Sequence, residues 1–195
     1  TKFKPTNKEG FDAVYLGRIH ATKGVYDLTR IWSIVVKKNP SASLAIIGTG
    51  SQDNIKNLKK MIIHGKLKKN ISILGFISQK RLWTILKNSK VFLFCDHEAG
   101  WGLAVAEAMA SGMPVVGWDI GILGSVFKTG FRKVPLGDFD LFAKNVVRIL
   151  QDPNLHSKLS IESTKEAASL DWQKASHQFS LILKRIQKNQ MCSKE

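Results

Sequence analysis

Short apolar runs alternate with helical patterns along most of this chain, and this alternation is its most constraining feature. Each apolar run has the length of a buried strand, and apolar side chains then recur at helical spacing before the next run. Neighbouring parallel strands need crossover connections of this kind. We therefore predict an α/β fold, a Rossmann-like three-layer structure in which helices cover both faces of a parallel sheet.

Five strands and four helices are predicted in the first two thirds of the chain. The strands are expected at 11–16, 44–47, 71–74, 91–94 and 114–116. The helices are expected at 25–36, 55–62, 79–86 and 103–110, with Ser78 as the N-cap of the third. After Gly137 the pattern becomes wholly helical, with apolar stripes over 141–150 and 172–186. The fold is therefore expected to end in a C-terminal helical tail.

The length of 195 residues suits a single domain. Hydrophobic residues make up 44% of the chain, enough to build a core and to rule out global disorder. We assign residues 1–188 to one domain and expect 189–195 to fray. No apolar run reaches the ~18 residues of a spanning helix, and residues 1–10 are too polar for a secretory signal. Cys95 and Cys192 form neither a disulfide framework nor a metal site, which favours the cytoplasm.

The charge is strongly positive and unevenly distributed. Lysine and arginine number 30 against 15 acids, a formal net charge of +15. Residues 54–95 hold 10 of the bases and no acid, so this basic segment should attract phosphate. The candidate partners are nucleic acid, an anionic membrane surface and a phosphorylated small molecule, and the alternative is a merely solvated face. Nucleic acid is disfavoured, because Arg81, Phe76 and Trp83 stand isolated among lysines.

In open parallel sheets, ligands bind beyond the carboxyl ends of the strands. The first strand is followed by Gly17, and Arg18 and Lys23 bracket the short loop that leads into the next helix. A helix N-terminus already favours anions, and two cations beside it would make a diphosphate site that needs no metal. The alternative is two solvent-facing charges that flank a turn.

Two other motifs are interpreted as structural. The Gly-Thr-Gly at 48–50 lacks the third glycine of a dinucleotide fingerprint, since Asp53 stands in its place. Tight turns from strand to helix use glycine for geometry alone. Asp138 and Asp140 imitate a D-x-D metal motif, but they fall at a helix start, where an aspartate usually serves as a cap.

The segment 96–114 is the most informative one. An acid cluster at a strand end precedes Gly100-Trp101-Gly102, whose glycines would let a ligand approach the backbone. A helix of small residues follows, and it contains Glu107 after an apolar run. A carboxylate in that position indicates a function, and the alternative is an ordinary surface glutamate.

From Glu98 to Val116 this segment resembles the E-x7-E-A-M-A-x-G-x-P-V-V signature of retaining family 4 glycosyltransferases. Those enzymes have the GT-B architecture, in which two Rossmann-like domains face each other across a cleft. Four further elements resemble the family in the same order: 17–24, 46–50, 73–77 and 170–172. The resemblance is to the C-terminal, donor-binding domain, so we expect the N-terminal acceptor domain to lie outside this sequence.

The resemblance implies a role for each site residue. Arg18 and Lys23 would bind the donor diphosphate, in the loop that Gly17 opens, and would neutralise charge on the leaving nucleoside diphosphate. Glu107 would accept hydrogen bonds from the ribose, and Glu98 would contact the sugar. The remaining residues implied in donor binding are Gly100, Trp101, Gly102 and Leu103 against sugar and phosphates, and Phe76 and Ile77 against the base.

The sequence departs from the family pattern at two places. Eight residues rather than seven separate Glu98 from Glu107, and strict spacing would put the first acid at Ala99. Either the loop holds one extra residue, or His97 or Glu98 substitutes for the acid. The G-G-x-P-E stretch of the family is replaced by residues 121–125, which lack both the proline and the glutamate.

The expected function is that of a retaining hexosyltransferase domain, inactive alone, that binds a UDP- or GDP-sugar without a metal or other cofactor. The acceptor would be a glycan or a lipid-linked acceptor, and the basic segment 54–95 would hold the enzyme against the inner face of an anionic membrane. The alternative is a non-catalytic nucleotide-binding or regulatory module of the same fold. Against it, Arg18, Lys23 and Glu107 are all present.

Overall fold

The computed structural model of the protein describes residues 10–98 and 100–192. Within these residues, six parallel strands form one sheet in the order β3-β2-β1-β4-β5-β6. The strands are β1 (Ala13–Leu16), β2 (Leu44–Ile47), β3 (Ile71–Gly75), β4 (Val91–Phe94), β5 (Val115–Trp118) and β6 (Phe131–Val134). The predicted Rossmann-like fold class is therefore confirmed.

Helices connect the strands and cover the sheet on both faces. They are α1 (Asp27–Lys38), α2 (Gln52–His64), α3 (Gln79–Lys87), α4 (Leu103–Ala110), the short α5 (Ile122–Ser125), α6 (Phe139–Gln151), α7 (Pro153–Ser169) and α8 (Trp172–Cys192). Helices α1, α2 and α6 pack on one face of the sheet, and α3 and α4 pack on the other. Helix α7 packs against both α4 and α6.

The strands supply both cores by the simple alternation of their side chains. In β4, Val91 and Leu93 face the core under α1 and α6, whereas Phe92 and Phe94 face the core under α3 and α4. Each of these four side chains is buried. Burial of one such side chain stabilises a fold by about 1.5–3 kcal/mol. Because successive side chains point to opposite faces of the sheet, each strand helps to hold both helical layers against it.

The strand order reverses between β1 and β4. Strand β1 pairs with β2 on one side and with β4 on the other, and the chain crosses from one half of the sheet to the other between them. A reversal of this kind leaves a crevice beyond the carboxyl ends of the two central strands, which is where such sheets bind ligands. The loops that follow β1 and β4 therefore form the walls of the site.

The structure corrects several predicted boundaries. Strand β1 begins at Ala13 rather than at residue 11, and helix α1 begins at Asp27, after a 3-10 turn at Ala21–Lys23. Strand β6 was not predicted, because Arg132 and Lys133 interrupt its short apolar pattern. Helix α8 continues to Cys192, so its backbone is helical in part of the segment expected to fray.

The apolar stripe of α8 does not enter the core. Phe179, Ile182 and Ile186 are 62%, 52% and 49% exposed. The helix begins at Trp172, as the resemblance implies, although the placement of that side chain lies outside what the structure describes.

The structural interpretations of the minor motifs are confirmed. Ser78 caps α3, where its hydroxyl accepts a hydrogen bond from the Arg81 amide, and Asp138 caps α6 in the same way through the Leu141 amide. Gly48 has a φ of 132°, and a Cβ there would overlap the carbonyl oxygen of Gly17. The Gly-Thr-Gly turn therefore uses glycine to pack against the loop after β1.

Candidate functional site

The loop after β1 is held in shape from below by Tyr15. The buried phenol hydroxyl donates hydrogen bonds to the carbonyl oxygens of Arg18 and Lys23, at 3.1 and 3.0 Å. Gly24 then adopts a left-handed conformation, with a φ of 59°, and a Cβ there would overlap the carbonyl oxygen of Cys95. The loop that contains both predicted phosphate ligands is thus fixed against the end of β4.

Lys23 forms an ion pair across the crevice. Its Nζ lies 2.6 Å from Asp96 Oδ2, and it also donates to the carbonyl oxygen of Glu98 at 3.4 Å. Arg18 lies on the same loop and is exposed. Burial raises the pKa of Asp96, although Lys23, His97 and Arg18 act in the opposite direction. The two predicted cations therefore share one anionic neighbour.

A second set of contacts ties the loop after β4 to helix α1. The backbone amide of His97 donates to the carbonyl oxygen of Thr22 at 3.0 Å. The His97 Nε2 lies 2.7 Å from Asp27 Oδ2, and the indole of Trp118 donates to the same oxygen at 3.2 Å. The loop after β4 and the end of strand β5 therefore meet at the carboxylate of Asp27, in the first turn of α1.

These contacts change which helix offers its N-terminus to an anion. We predicted the N-terminus of the helix after β1, but Asp27 places a carboxylate in the first turn of α1. Helix α4 has Gly102, whose φ is 89°, as its N-cap residue, and its first turn has no acidic residue and no side-chain cap. The dipole and free amides of α4 are therefore the better match to a phosphate.

The loop before α4 is supported from beneath by an aromatic side chain. The ring of Trp101 meets the ring of Phe127 edge to face, with centroids 5.7 Å apart, and a Cβ on Gly102 would lie 3.1 Å from Phe127. Trp101 and Leu103 are 43% and 61% exposed, and Gly100 faces open space. The predicted Gly-Trp-Gly segment thus presents its backbone and one ring to solvent beside the crevice.

Glu107 lies one turn into α4. Its side chain is half-buried, and no residue within 10–98 or 100–192 donates a hydrogen bond to its carboxylate. Burial alone raises the pKa of Glu107. The carboxylate of Glu107 therefore remains available to accept hydrogen bonds from a ligand.

The other predicted donor contacts lie further along the same edge. Phe76 and Ile77 follow β3, which is two strands from β1 and therefore about 10 Å away. Phe76 is 86% exposed, whereas Ile77 is half-buried. The Gly48 amide donates to the carbonyl oxygen of Gly75 at 3.0 Å and fixes the start of this loop.

The surroundings of Glu98 give less support to its predicted role in donor binding than those of Glu107 give to its own. Glu98 is exposed, and only its carbonyl oxygen contacts Lys23. Ala99, the position that strict spacing would give to the acid, lies outside the described residues. For metals, the described residues include no group of three His, Cys, Asp or Glu side chains that could hold an ion.

Sequence reasoning missed the contacts of three residues in this site. Asp96 and His97 follow β4 after Cys95, at the same edge of the sheet as Lys23, and this topology was enough to place them near it. Asp27 was not recognised, because a lone acid in the first turn of a helix is common. Its partners come from residues 70 and 91 positions away, a distance that no local pattern reports.

The fold defines a Rossmann-like domain, and basic side chains lie at the crevice where its strand order reverses. The chain belongs to the family described as glycosyl transferases group 1, whose model matches residues 1–166. One curated relative is a capsular polysaccharide biosynthesis glycosyltransferase, CapM, from Staphylococcus aureus. It is 24% identical over 94% of this chain and 49% of its own length. The chain thus spans about half of that relative.

Solved structures show the same fold. The HepE protein of Anabaena, in complex with UDP and glucose, superimposes with a TM-score of 0.81 at 17% identity, over 91% of this chain and 49% of its own. The C-terminal domain of the glycosyl transferase group 1 protein LpcC from Francisella tularensis superimposes with a TM-score of 0.72 at 21% identity. That match covers 86% of this chain and 94% of the LpcC domain.

Proposed function

We propose that this chain is the donor-binding domain of a retaining family 4 glycosyltransferase with the two-domain GT-B architecture. It binds a UDP- or GDP-sugar in the crevice between the loops after β1 and β4. In the whole protein, an N-terminal domain holds a glycan or lipid-linked acceptor, to which the hexose is transferred. The match to the LpcC C-terminal domain and the half-length coverage of CapM support this division.

The observation that most favours the proposal is the arrangement of charge around the crevice. Arg18 and Lys23 lie on one wall, and the uncapped N-terminus of α4 begins the other. Glu107, an acceptor without a donor, lies one turn further along α4. A nucleoside diphosphate has the complementary groups in the same order: a diphosphate for the cations and amides, and ribose hydroxyls for the carboxylate.

The remaining contacts follow from the same placement. The base lies against Phe76 and Ile77, where an exposed ring offers a stacking surface. The sugar lies over Gly100, Trp101 and Leu103, with Glu98 beside it. The UDP in the HepE complex makes uracil the first base to test, and guanine the second.

In the transfer step, the bond between the anomeric carbon and the diphosphate breaks, and negative charge develops on the leaving oxygen. Arg18 and Lys23 stabilise that charge, and the amides of α4 do the same from the opposite wall. We propose that these groups suffice without a metal ion. Retention means that the acceptor oxygen bonds to the anomeric carbon on the face that the diphosphate leaves, and the acceptor's hydroxyl proton passes to the departing diphosphate oxygen.

The experiment that tests donor binding is a calorimetric titration of the chain with UDP, GDP, uridine and guanosine. The proposal predicts that one diphosphate binds, and that Glu107→Ala weakens that binding about 10- to 100-fold through lost hydrogen bonds to the ribose. Asp53→Ala, an exposed acid in the first turn of α2, is the control and should leave affinity unchanged. Failure of both diphosphates to bind would refute the proposal.

The proposal also places the enzyme in the cytoplasm, in contact with an anionic membrane surface. Helix α2 presents Lys56 and Lys60 on its outer face, and Ile63, which follows on the same side, is 46% exposed. Basic side chains beside an exposed apolar one suit the interface of a bilayer with anionic lipids. Among the described helices, none is long and apolar enough to cross a membrane.

One observation favours the alternative of a non-catalytic nucleotide-binding module. Glu98 is exposed, and the position of the first acid under strict spacing is Ala99. A module of this kind would bind the nucleotide as described and transfer no sugar. Sugar transfer by this chain joined to an acceptor-binding domain excludes the module, and donor binding without any transfer in that longer protein establishes it.

A further inference from the structure

The proposed mechanism assigns no task to the carboxylate of Asp96, which lies in the crevice. It lies 2.6 Å from Lys23 Nζ, and the two side chains are 14% and 24% exposed. Lys23 is the proposed ligand of the donor diphosphate, so the ammonium that should meet a phosphate is already paired with an anion of the protein itself.

A second ion pair, at the opposite end of the strands, has a structural role and differs from the pair of Lys23 and Asp96. Asp12 lies 2.8 Å from Lys90 Nζ, and it also accepts hydrogen bonds from the amide and hydroxyl of Ser43, at 2.9 and 3.2 Å. Asp96 accepts a hydrogen bond from Lys23 alone among the residues that the structure describes. Asp12 would keep partners without its lysine, whereas Asp96 would keep none.

The groups around Asp96 do not offer it a replacement. Arg18 and His97 are near enough to lower its pKa, but neither forms a hydrogen bond with its carboxylate. Tyr15 and Cys95 are also titratable neighbours, and burial, with a smaller contribution from the charge of Asp96, raises the pKa of both, so neither offers a positive charge to Asp96. A diphosphate on Lys23 would therefore bring negative charge beside a partly buried carboxylate and would share with it the one side chain, among the described residues, that donates a hydrogen bond to it.

We infer that Asp96 is an internal counter-ion that competes with the diphosphate for Lys23 and so limits the affinity of the site. The inference rests on the proposed function, and it concerns how tightly that site holds both the donor and the nucleoside diphosphate product. On binding, the contact between Lys23 and Asp96 loosens as Lys23 meets a phosphate oxygen, and no covalent bond changes. Such a site releases the nucleoside diphosphate faster than the same site would if Asp96 carried no charge.

The opposite role for Asp96 is to hold Lys23 in position for the phosphate, and the two roles predict opposite signs. Asp96→Asn removes the charge but keeps an oxygen that accepts a hydrogen bond from Lys23. If Asp96 competes, this variant binds UDP and inorganic pyrophosphate about tenfold more tightly, a difference of about 1.4 kcal/mol. If Asp96 positions Lys23, the variant binds them equally or more weakly.

The test is a titration of wild type, Asp96→Asn and Asp96→Ser with UDP, GDP, pyrophosphate and uridine. The gain should appear for the diphosphates and not for uridine, and it should vanish in the double variant Lys23→Gln/Asp96→Asn. Asp12→Asn, a matched change in the remote ion pair, should leave all affinities unchanged. Thermal unfolding of each variant identifies any that does not fold, and the serine variant then replaces asparagine.

Two outcomes separate this inference from the function on which it rests. If the wild type binds UDP or GDP but neither Asp96 variant gains affinity, the counter-ion role is overturned and the donor site stands. If the wild type binds neither nucleoside diphosphate nor pyrophosphate, the donor site itself is refuted, and the counter-ion role with it.

Discussion

His97 Nε2 lies 2.7 Å from the Asp27 Oδ2 atom and joins the loop after β4 to the first turn of α1. The same oxygen accepts the indole N–H of Trp118, which is fully buried. One carboxylate thus holds together two walls of the crevice and satisfies a donor at the edge of the core. We regard this junction as the structural support of the proposed site.

Loss of that carboxylate should destabilise the fold. Asp27→Ala leaves the indole of Trp118 without an acceptor, so we expect the free energy of unfolding to fall by about 1–3 kcal/mol, whereas Asp27→Asn should cost less. Urea unfolding measures both values. Asp53→Ala removes an acid from the first turn of another helix and should change stability by less than about 0.5 kcal/mol. Equal losses of stability at Asp27 and Asp53 would mean that Asp27 acts only through the helix dipole, and this result would contradict a role for its hydrogen bonds.

Substitution of Gly24 should damage the loop after β1 through contact as well as conformation. Gly24 and Gly137 both have positive φ, at 59° and 87°, but only at Gly24 would a Cβ overlap a backbone carbonyl, that of Cys95. We expect Gly137→Ala to cost about 1–2 kcal/mol and Gly24→Ala to cost clearly more, because strain and overlap add. Thermal unfolding compares the two. A cost at Gly24 no larger than at Gly137 would contradict the close approach of the two loops.

The charged carboxylate of Glu107 should lower the stability of the fold and favour nucleotide binding. The direction of the stability effect follows from the pKa of Glu107. Burial raises the pKa of the folded-state carboxyl above that of the unfolded chain. The folded state therefore binds the proton more readily, and stability falls as pH rises through the interval between the two pKa values. Glu107→Gln should thus raise the melting temperature at pH 7, and this gain should disappear at about pH 4. The same variant should bind the nucleoside diphosphate more weakly at pH 7.

A structural role for Glu107 predicts the reverse of that pair of results. If the carboxylate is needed for the fold, the glutamine variant melts at a lower temperature at pH 7, and any remaining folded protein binds the nucleotide with normal affinity.

The outer face of α2 should bind anionic lipid. We expect the wild-type chain to sediment with vesicles that contain anionic lipid, with each basic side chain near the surface worth about 1 kcal/mol, and to be released by salt. Lys56→Glu with Lys60→Glu should abolish most of this binding. Lys144→Glu with Lys158→Glu, an equal charge change on exposed side chains of α6 and α7, should reduce it less. Equal binding to neutral and anionic vesicles would leave the basic segment as a solvated face.

The sequence was sufficient for the regular parts of the fold. Strands β2 and β4 and helix α4 have the predicted bounds, because continuous apolar runs and a small-residue helix are local signals. Strand β6 was not predicted because half of its residues are basic, and its place in the sheet depends on its pairing with β5. The exposure of the apolar stripe of α8 could not be predicted from the local sequence either. Hydrophobic periodicity shows that one face of a helix is apolar, but it does not show whether another element covers that face.

The site was predictable in its residues and less so in its interactions. Arg18, Lys23 and Glu107 could be selected because glycines and strand ends mark the loops around them. The pairing of Lys23 with Asp96 depends on two loops 73 residues apart, and it follows only once the sheet order is known. The acidic first turn of α1 counts against the helix N-terminus that we predicted as the phosphate site, and the contacts that hold Asp27 beside the crevice come from residues distant in sequence.

The most direct test of the whole account is whether Arg18 and Lys23 hold a diphosphate. Wild type, Arg18→Ala, Lys23→Ala and the double variant are titrated with UDP, GDP and the free nucleosides, with and without EDTA. Each single variant should lose about 10- to 150-fold in affinity for the diphosphate and almost none for the nucleoside, the losses should be non-additive, and EDTA should change nothing. Equal losses for nucleoside and diphosphate, or binding that EDTA abolishes, would contradict the account.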